Sequence, residues 1–460
     1  MEDSSLLAFY LGAWLVVALV TVYVHWRRTG GGVGLVFAYL LSFWALHWVA
    51  GPLYLLPWYR YQDDYFVRLG VEQSTYGIVA FACGSLGLAP LVTRLFHFQR
   101  TEKVSYSPHP ALPAVYLLAG AGSYLLLSSA VGALPTANAL ISVGQYLFVV
   151  GLCLQCWVAW RQRAERQFVF WLSIAFVLPV VTILSRGFMG YGAAATLVVC
   201  TFVASFLRPL WKVAIVGLVL MYLGFSFYVN YMRDRDEIRT AVWGQQSLFA
   251  RVDRILMTMR NFEWFDPRSE EHLQRVDDRL NQSVFIGAAV SQLSESQAYA
   301  YGATLRQALL ALVPRVLWPE KPVFGGSGNL VREYTGFRFS EGTSIGVGQV
   351  LEFYINFGTL GVVLGFLIFG VVLTLIDVIA SRQLMADNWQ GFVLWYLVGI
   401  SCLQIGGSLV EVFGSAGASV VVAVLLNRFI FTRLQKQPAS RRAFFSPSQV
   451  TPQQSTSRYE

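Results

Sequence analysis

Val350-Leu-Glu-Phe-Tyr-Ile-Asn-Phe-Gly-Thr-Leu-Gly-Val-Val-Leu-Gly-Phe-Leu-Ile-Phe-Gly-Val-Val-Leu-Thr-Leu-Ile376 settles the class of this protein. Past Glu352 it carries no charged side chain before Asp377. About 20 apolar residues in a helix cross the roughly 30 Å hydrocarbon core of a bilayer, so this run reads as one membrane helix. The same reading applied outward finds such runs near 5–25, 34–57, 75–93, 111–131, 139–160, 168–185, 188–207, 211–229, 391–411 and 414–431. The expected fold is all-α and polytopic, with about eleven transmembrane helices.

Composition agrees. Of 460 residues 55% are hydrophobic and only 13% charged, with mean hydropathy +0.52, where a soluble chain carries about a quarter charged residues. Soluble, disordered, collagenous and coiled-coil classes are excluded. Cys83, Cys153, Cys156, Cys200 and Cys402 all lie in apolar runs, so no disulfide framework is present in the pattern.

Orientation follows from charge. Glu2 and Asp3 precede the first run and Arg27 and Arg28 follow it, the reverse of a signal peptide, which predicts an uncleaved span with its N-terminus outside. Alternate connections and the tail then hold seventeen Lys and Arg on the inside, against Arg60, Arg68 and Arg186 on the outside. This gives four parts: a membrane bundle over 1–229, a large external loop over 230–349, membrane helices over 350–433 and a disordered cytoplasmic tail over 434–460. In the loop, 246–262 has the spacing of an amphipathic helix lying on the membrane surface. Residues 283–293 and 303–313 are too short to span and read as re-entrant or interfacial helices.

Several chemistries lack their motifs. Gly325-Gly-Ser-Gly has no Lys-Ser/Thr after it and is no phosphate loop. Cys153 and Cys156 have no second pair, and His272 is the only histidine in the long loop, so no metal site is expected. Of 34 basic residues all but Lys103, Lys212, Lys321 and Lys436 are arginine. Arginine's planar fork suits phosphate or carboxylate, although high-GC coding raises arginine as well.

Arg186, in Leu184-Ser-Arg-Gly-Phe, separates two apolar runs by almost nothing. It is either a snorkelling helix terminus or a guanidinium held in a cavity. Glu352 and Glu411 lie near the ends of apolar runs, where an unpaired carboxylate is costly, and pairing with Arg186 or a loop arginine would answer that cost. The stretch Tyr301-Gly-Ala-Thr-Leu-Arg-Gln-Ala-Leu-Leu-Ala-Leu-Val-Pro-Arg-Val-Leu-Trp-Pro-Glu-Lys-Pro322 delivers Arg315, Trp318 and Lys321 on a proline-stiffened loop. Such a loop suits a sugar diphosphate, cations on phosphate and indole on a pyranose face, or is simply a rigid surface loop.

In this order, Ser185-Arg-Gly187, Tyr301-Gly-x-Thr, Val313-Pro-Arg-x-Leu-Trp-Pro-x-Lys-Pro322, Thr343-Ser-Ile-Gly346 and Glu352-Phe-Tyr-Ile-Asn-Phe-Gly358 resemble the Wzy-type oligosaccharide repeat unit polymerases, relatives of the O-antigen ligases. The resemblance covers about 170–375, and Arg315 with Gly326 has the family's eleven-residue arginine-to-glycine spacing. It implies a GT-C-like membrane glycosyltransferase in the bacterial inner membrane, with the N-terminus outside and the C-terminus cytoplasmic. Such an enzyme moves a growing glycan from undecaprenyl diphosphate onto a hydroxyl of a new lipid-linked repeat unit at the outer leaflet. Donor and acceptor are both undecaprenyl-diphosphate-linked oligosaccharides; membrane lipid and a chain-length regulator are further partners, and no cofactor, metal or nucleic acid is implied.

The roles implied are a general base at Glu352, with Glu341, Glu333 and His272 behind it; diphosphate ligands at Arg186, Arg315 and Lys321, with Arg332 and Arg338 as substitutes; and sugar stacking on Trp318. Two other readings stay open: an O-antigen-ligase-like transferase, differing in acceptor, and a transporter or flippase of a lipid-linked glycan.

Overall fold

The apolar runs form helices in the computed structural model, which describes residues 2–27, 32–59, 64–95, 109–130, 135–207, 210–313, 318–322, 324–339, 346 and 348–434. Among these residues there is no strand. The order is α1 (Glu2–Arg27), α2 (Leu35–His47), a 3-10 turn (Gly51–Leu55), α3 (Asp64–Ala82), a π-turn (Cys83–Leu88) and α4 (Ala89–Leu95). Then come α5 (Leu112–Ala130), α6 (Pro135–Arg161), α7 (Glu165–Arg186), α8 (Gly190–Phe206) and α9 (Leu210–Trp243). Five shorter helices follow: α10 (Leu248–Arg260), α11 (Glu270–Leu280), α12 (Ser283–Ser296), α13 (Ala303–Ala311) and α14 (Ser327–Tyr334). The chain then returns through α15 (Gly348–Met385), α16 (Trp389–Ser401) and α17 (Leu409–Leu434).

Eight of the described segments are long and apolar enough to cross a membrane. They are Ser4–His25, Leu35–Leu55, Asp64–Leu95, Val143–Arg161, Glu165–Arg186, Trp211–Trp243, Gly348–Met385 and Leu409–Phe429. Runs 111–131 and 188–207 form helix over nearly their whole length as α5 and α8, whereas 391–411 forms only the shorter α16. Two spans begin or end elsewhere than hydropathy indicates. The expected run at 75–93 belongs to a helix that starts at Asp64, because Asp64, Arg68 and Glu72 recur every four residues and share one side of it. Residue 230, where the composition changes, is no break, since α9 continues to Trp243. Its 34 residues at about 1.5 Å each make a rod some 20 Å longer than a hydrocarbon core.

The stretch 350–376 is not one straight helix. Phe357 and Gly358 leave helical geometry, and Gly358 stands at φ 60°, ψ −151°, a region only glycine occupies without strain. α15 is therefore a short helix and a long one joined at a kink. Asp377 at the end of the apolar run turns inward, accepting from Val33 N (2.9 Å) and Leu35 N (3.1 Å), so it caps α2.

Glycines set how closely the helices meet. A Cβ on Gly70 would lie 2.0 Å from Ser283 O, and one on Gly287 would lie 1.8 Å from Phe66 O. α3 and α12 thus touch backbone to backbone, the small-residue contact that membrane helices use in place of a hydrophobic driving force. The segment expected at 283–293 is accordingly a packed helix that buries Ile286, Ala289, Val290 and Leu293 in the main core. Gly84 meets Leu367 O of α15 in the same way. It lies in the π-turn just ahead of Pro90, whose missing N–H and ring disfavour regular α-helix there.

Candidate functional site

Two of the sequence motifs interlock at the end of the bundle that carries α10–α14, the loop-bearing end. Asn356 Oδ1 accepts from Gly302 N (2.9 Å), and its Nδ2 donates to Thr304 Oγ1 (2.7 Å) and to Glu352 O (2.7 Å). Ala300 N donates to Ile355 O (2.8 Å), satisfying a carbonyl just before the kink. Tyr301-Gly-x-Thr and Glu352-Phe-Tyr-Ile-Asn-Phe-Gly are thus two halves of one buried joint. Gly302, at φ 87°, opens α13 there, with the Phe357 ring where a Cβ would point.

Glu352 is fully buried inside this joint. Its Oε2 accepts from Leu409 N (2.5 Å) at the first turn of α17. Oε1 makes no hydrogen bond of ordinary geometry, although the Thr304 hydroxyl stands nearby. Ser408-Leu-Val-Glu411 forms a capping box: Ser408 Oγ accepts from Glu411 N (3.4 Å) and Glu411 Oε2 accepts from Ser408 N (2.7 Å). Ser327 Oγ donates to the same Glu411 oxygen (2.8 Å), clipping the start of α14 onto α17. Both carboxylates thus sit on the N-terminus of α17, where backbone N–H groups and the helix dipole favour negative charge. The expected arginine partner is replaced by that helix end, because no ion pair reaches either residue among those described.

Around Gly348 and Gln349, one turn before Glu352 on α15, lies a further polar group that sequence reading missed. His47 Nδ1 and Nε2, Gln282 Oε1 and Gln349 Nε2 are buried without partners among the described residues. The His47 ring and the Gln282 amide both crowd Gly348, which has φ 70°. Tyr39 OH donates to Gln349 Oε1 (2.6 Å). The residues come from α2, α12 and α15, so nothing in their linear spacing announces the cluster.

Ser185-Arg-Gly187 is a helix C-terminus. Gly187, at φ 74°, donates its N–H to Ile183 O (2.8 Å) and closes α7. The Arg186 guanidinium lies over the Tyr191 ring (5.6 Å). The Tyr146 hydroxyl accepts from Gln404 Nε2 (2.8 Å). Tyr231 OH (2.8 Å) and Arg239 Nε (3.4 Å) both donate to Gly187 O, and Arg251 Nη1 donates to Leu184 O (3.3 Å).

Other expected ligands stand elsewhere. Lys321 Nζ donates to Ala311 O (2.9 Å) and Val313 O (2.8 Å), so it caps the C-terminus of α13. Trp318 is half-buried, while Arg332, Glu333 and Arg338 are exposed on and just after α14. Arg315, Glu341 and Thr343-Ser-Ile lie outside the described residues. His272 is buried and engaged at both nitrogens: Nδ1 accepts from Asp266 N (3.0 Å), and Nε2 faces Glu263 Oε2 (3.2 Å). That arrangement leaves neither nitrogen for a substrate proton.

The hydrogen bond from His272, with Arg233 beside it, holds Glu263 below the usual carboxylate range. Asp277 is pushed up by burial, against three donors, Tyr54 OH (2.8 Å), Tyr59 OH (2.9 Å) and Asn281 Nδ2 (2.7 Å). Among the described residues no three His, Cys, Asp or Glu side chains gather as a metal set.

A family described as a domain of unknown function, DUF8712, matches residues 54–406, from the 3-10 turn after α2 through Glu352 to the segment before α17. No curated protein and no solved structure matches the chain. With more than half its length matched, the chain belongs to the DUF8712 family.

Proposed function

We propose that this chain is a polysaccharide polymerase of the Wzy type, a membrane glycosyltransferase that uses lipid diphosphate as leaving group. The observation that carries the reading is Glu352, a buried carboxylate with one oxygen anchored on α17 and the other in no hydrogen bond of ordinary geometry, in a chain whose Arg186 closes α7 with its guanidinium over Tyr191. The eight long helices support a polytopic fold; eleven crossings, with the N-terminus outside and the C-terminus in the cytoplasm of a bacterial inner membrane, belong to the same reading.

In the reaction, the bond from the donor sugar C1 to its phosphate oxygen breaks and a bond from C1 to the acceptor hydroxyl oxygen forms. The hydroxyl proton passes to Glu352 Oε1 and the diphosphate leaves as an anion. A positioned base supplies typically 100- to 10,000-fold. Arg186 neutralises charge on the departing diphosphate, and a charge-assisted hydrogen bond of this sort contributes about 1.5–3 kcal/mol. Glu411 and Ser327 hold the α17 terminus that orients Glu352. Lys321 shapes the loop rather than touching phosphate, consistent with its two carbonyl contacts.

The test is the length distribution of lipid-linked and surface glycan, by gel and mass spectrometry, in a strain lacking the gene and restored with Glu352→Gln or Arg186→Ala. Single repeat units in place of a ladder, with the variant protein present in the membrane, are the expected result. Full-length polymer accumulating on the lipid diphosphate would make the protein a ligase. An unchanged ladder in the deletion strain would remove it from glycan assembly.

A further inference from the structure

Four arginines around the outer part of α9 lack what the other arginines there have. Arg233 pairs with Asp234 and Glu263, Arg254 with Glu237, and Arg275 with Glu271. Arg235, Arg239, Arg251 and Arg279 make no ion pair among the described residues. Arg251 spends its donors on the Gln246 (2.9 Å) and Leu184 (3.3 Å) carbonyls, and Arg239 lies over Phe188 (4.4 Å) and Trp243 (5.4 Å). Arg235 is one turn before Arg239 on α9, its charge facing those of Arg239 and Arg279, and its Nε is buried without a hydrogen-bond partner. Asp236 and Asp278 stand close by but form no ion pair with the strip. Guanidiniums that face one another with no carboxylate in ion-pair contact repel one another, and a bound anion relieves that repulsion.

An apolar surface adjoins the strip. α10 exposes Leu248, Phe249, Leu256 and Met257, and the membrane-length part of α9 exposes Val216 and Val219 among others. Arg251 ties α10 to the end of α7, so this face is continuous with the flank of the bundle. A cationic strip at the head of an exposed apolar flank fits a molecule with a phosphate at one end and acyl chains behind it. We propose that Arg235, Arg239, Arg251 and Arg279 bind the phosphate headgroup of an anionic membrane lipid, whose chains lie along α9 below α10. The site does not depend on the glycosyl transfer proposed above, and it stands or falls separately.

The test uses the full chain in nanodiscs and detergent, with phosphatidylglycerol, phosphatidylcholine and inorganic phosphate as probes, read by native mass spectrometry. The wild type should retain phosphatidylglycerol at least tenfold better than phosphatidylcholine, and millimolar inorganic phosphate should not displace it. Arg235→Gln with Arg239→Gln should lower that preference at least fivefold, whereas Arg235→Lys with Arg239→Lys and the remote Arg268→Gln should keep most of it. An unaltered preference in the Gln pair overturns the assignment, and so does its loss in the Lys pair. Displacement by inorganic phosphate at equal affinity would make it a free-anion site and overturn the lipid reading. If the Gln pair fails to elute as a single species, Arg251→Gln with Arg279→Gln decides by the same criterion.

Discussion

Asn356→Ala removes the joint between the two motifs at its centre. The side chain makes three hydrogen bonds of 2.7–2.9 Å, two buried and the one from Gly302 N part-buried, and the substitution leaves the Gly302 N–H without its acceptor and Thr304 Oγ1 without its donor. Hydrogen bonds between membrane helices contribute about 0.6 kcal/mol each and those in soluble cores about 1 kcal/mol each. Three of them at the end of a bundle therefore come to about 2–3 kcal/mol. The assay is a double-mutant cycle with Thr304→Val by equilibrium unfolding in mixed micelles. Because both substitutions break the same Asn356–Thr304 bond, the double variant should cost about 0.5–1 kcal/mol less than the sum of the two single ones. A fully additive cycle, or an Asn356→Ala cost below about 0.5 kcal/mol, would refute the claim that this joint holds Glu352 in place. On the proposed polymerase reading, glycan length should shorten in Asn356→Ala cells as well, since Asn356 Nδ2 also donates to Glu352 O on the backbone that carries the carboxylate.

Gly287→Ala places a methyl where Phe66 O already lies, at 1.8 Å; it should separate α12 from α3 and destabilise by about 1–3 kcal/mol, seen as a lower melting temperature in detergent. Ser408→Ala removes the capping hydroxyl of α17 and should cost about 1 kcal/mol, and Ser408→Thr should restore most of it. Glu263, whose carboxyl is held below its ordinary value of 4.5, favours the folded state when ionised. Its contribution is complete above that ordinary value and disappears as pH falls through the lowered one, so Trp264 fluorescence should report loosening of 261–272 in that acid window, and Glu263→Gln should abolish the transition. A Glu263→Gln protein that still loosens there would assign the transition to another group.

The residues that carry the Glu352 joint were legible as motifs, because Gly302, Thr304, Asn356 and Gly358 are demanded locally by a left-handed helix start, a buried hydrogen-bond set and a kink. Their partnership was not legible, since Asn356 reaches a turn some fifty residues earlier in the chain. Ser408-x-x-Glu411 shows the opposite case: the capping-box pattern stands in the sequence, but the apolar run expected over 391–411 hid the break between Cys402, which caps α16, and Leu409, which opens α17. Arg235 and Arg239 were hidden for a related reason, because the composition shift at 230 reads as a helix end while α9 continues through it.

Hydropathy, charge asymmetry and run length by themselves determined that the chain is a helical membrane protein with one large loop segment, because the bilayer imposes its thickness and polarity on every span separately. Only the tertiary structure decided where the carboxylates are satisfied, which arginines lack carboxylates and which glycines bring α3 against α12. Those outcomes depend on which helix ends and backbone groups meet, and the free energy of a buried charge is set by neighbours in space rather than in sequence.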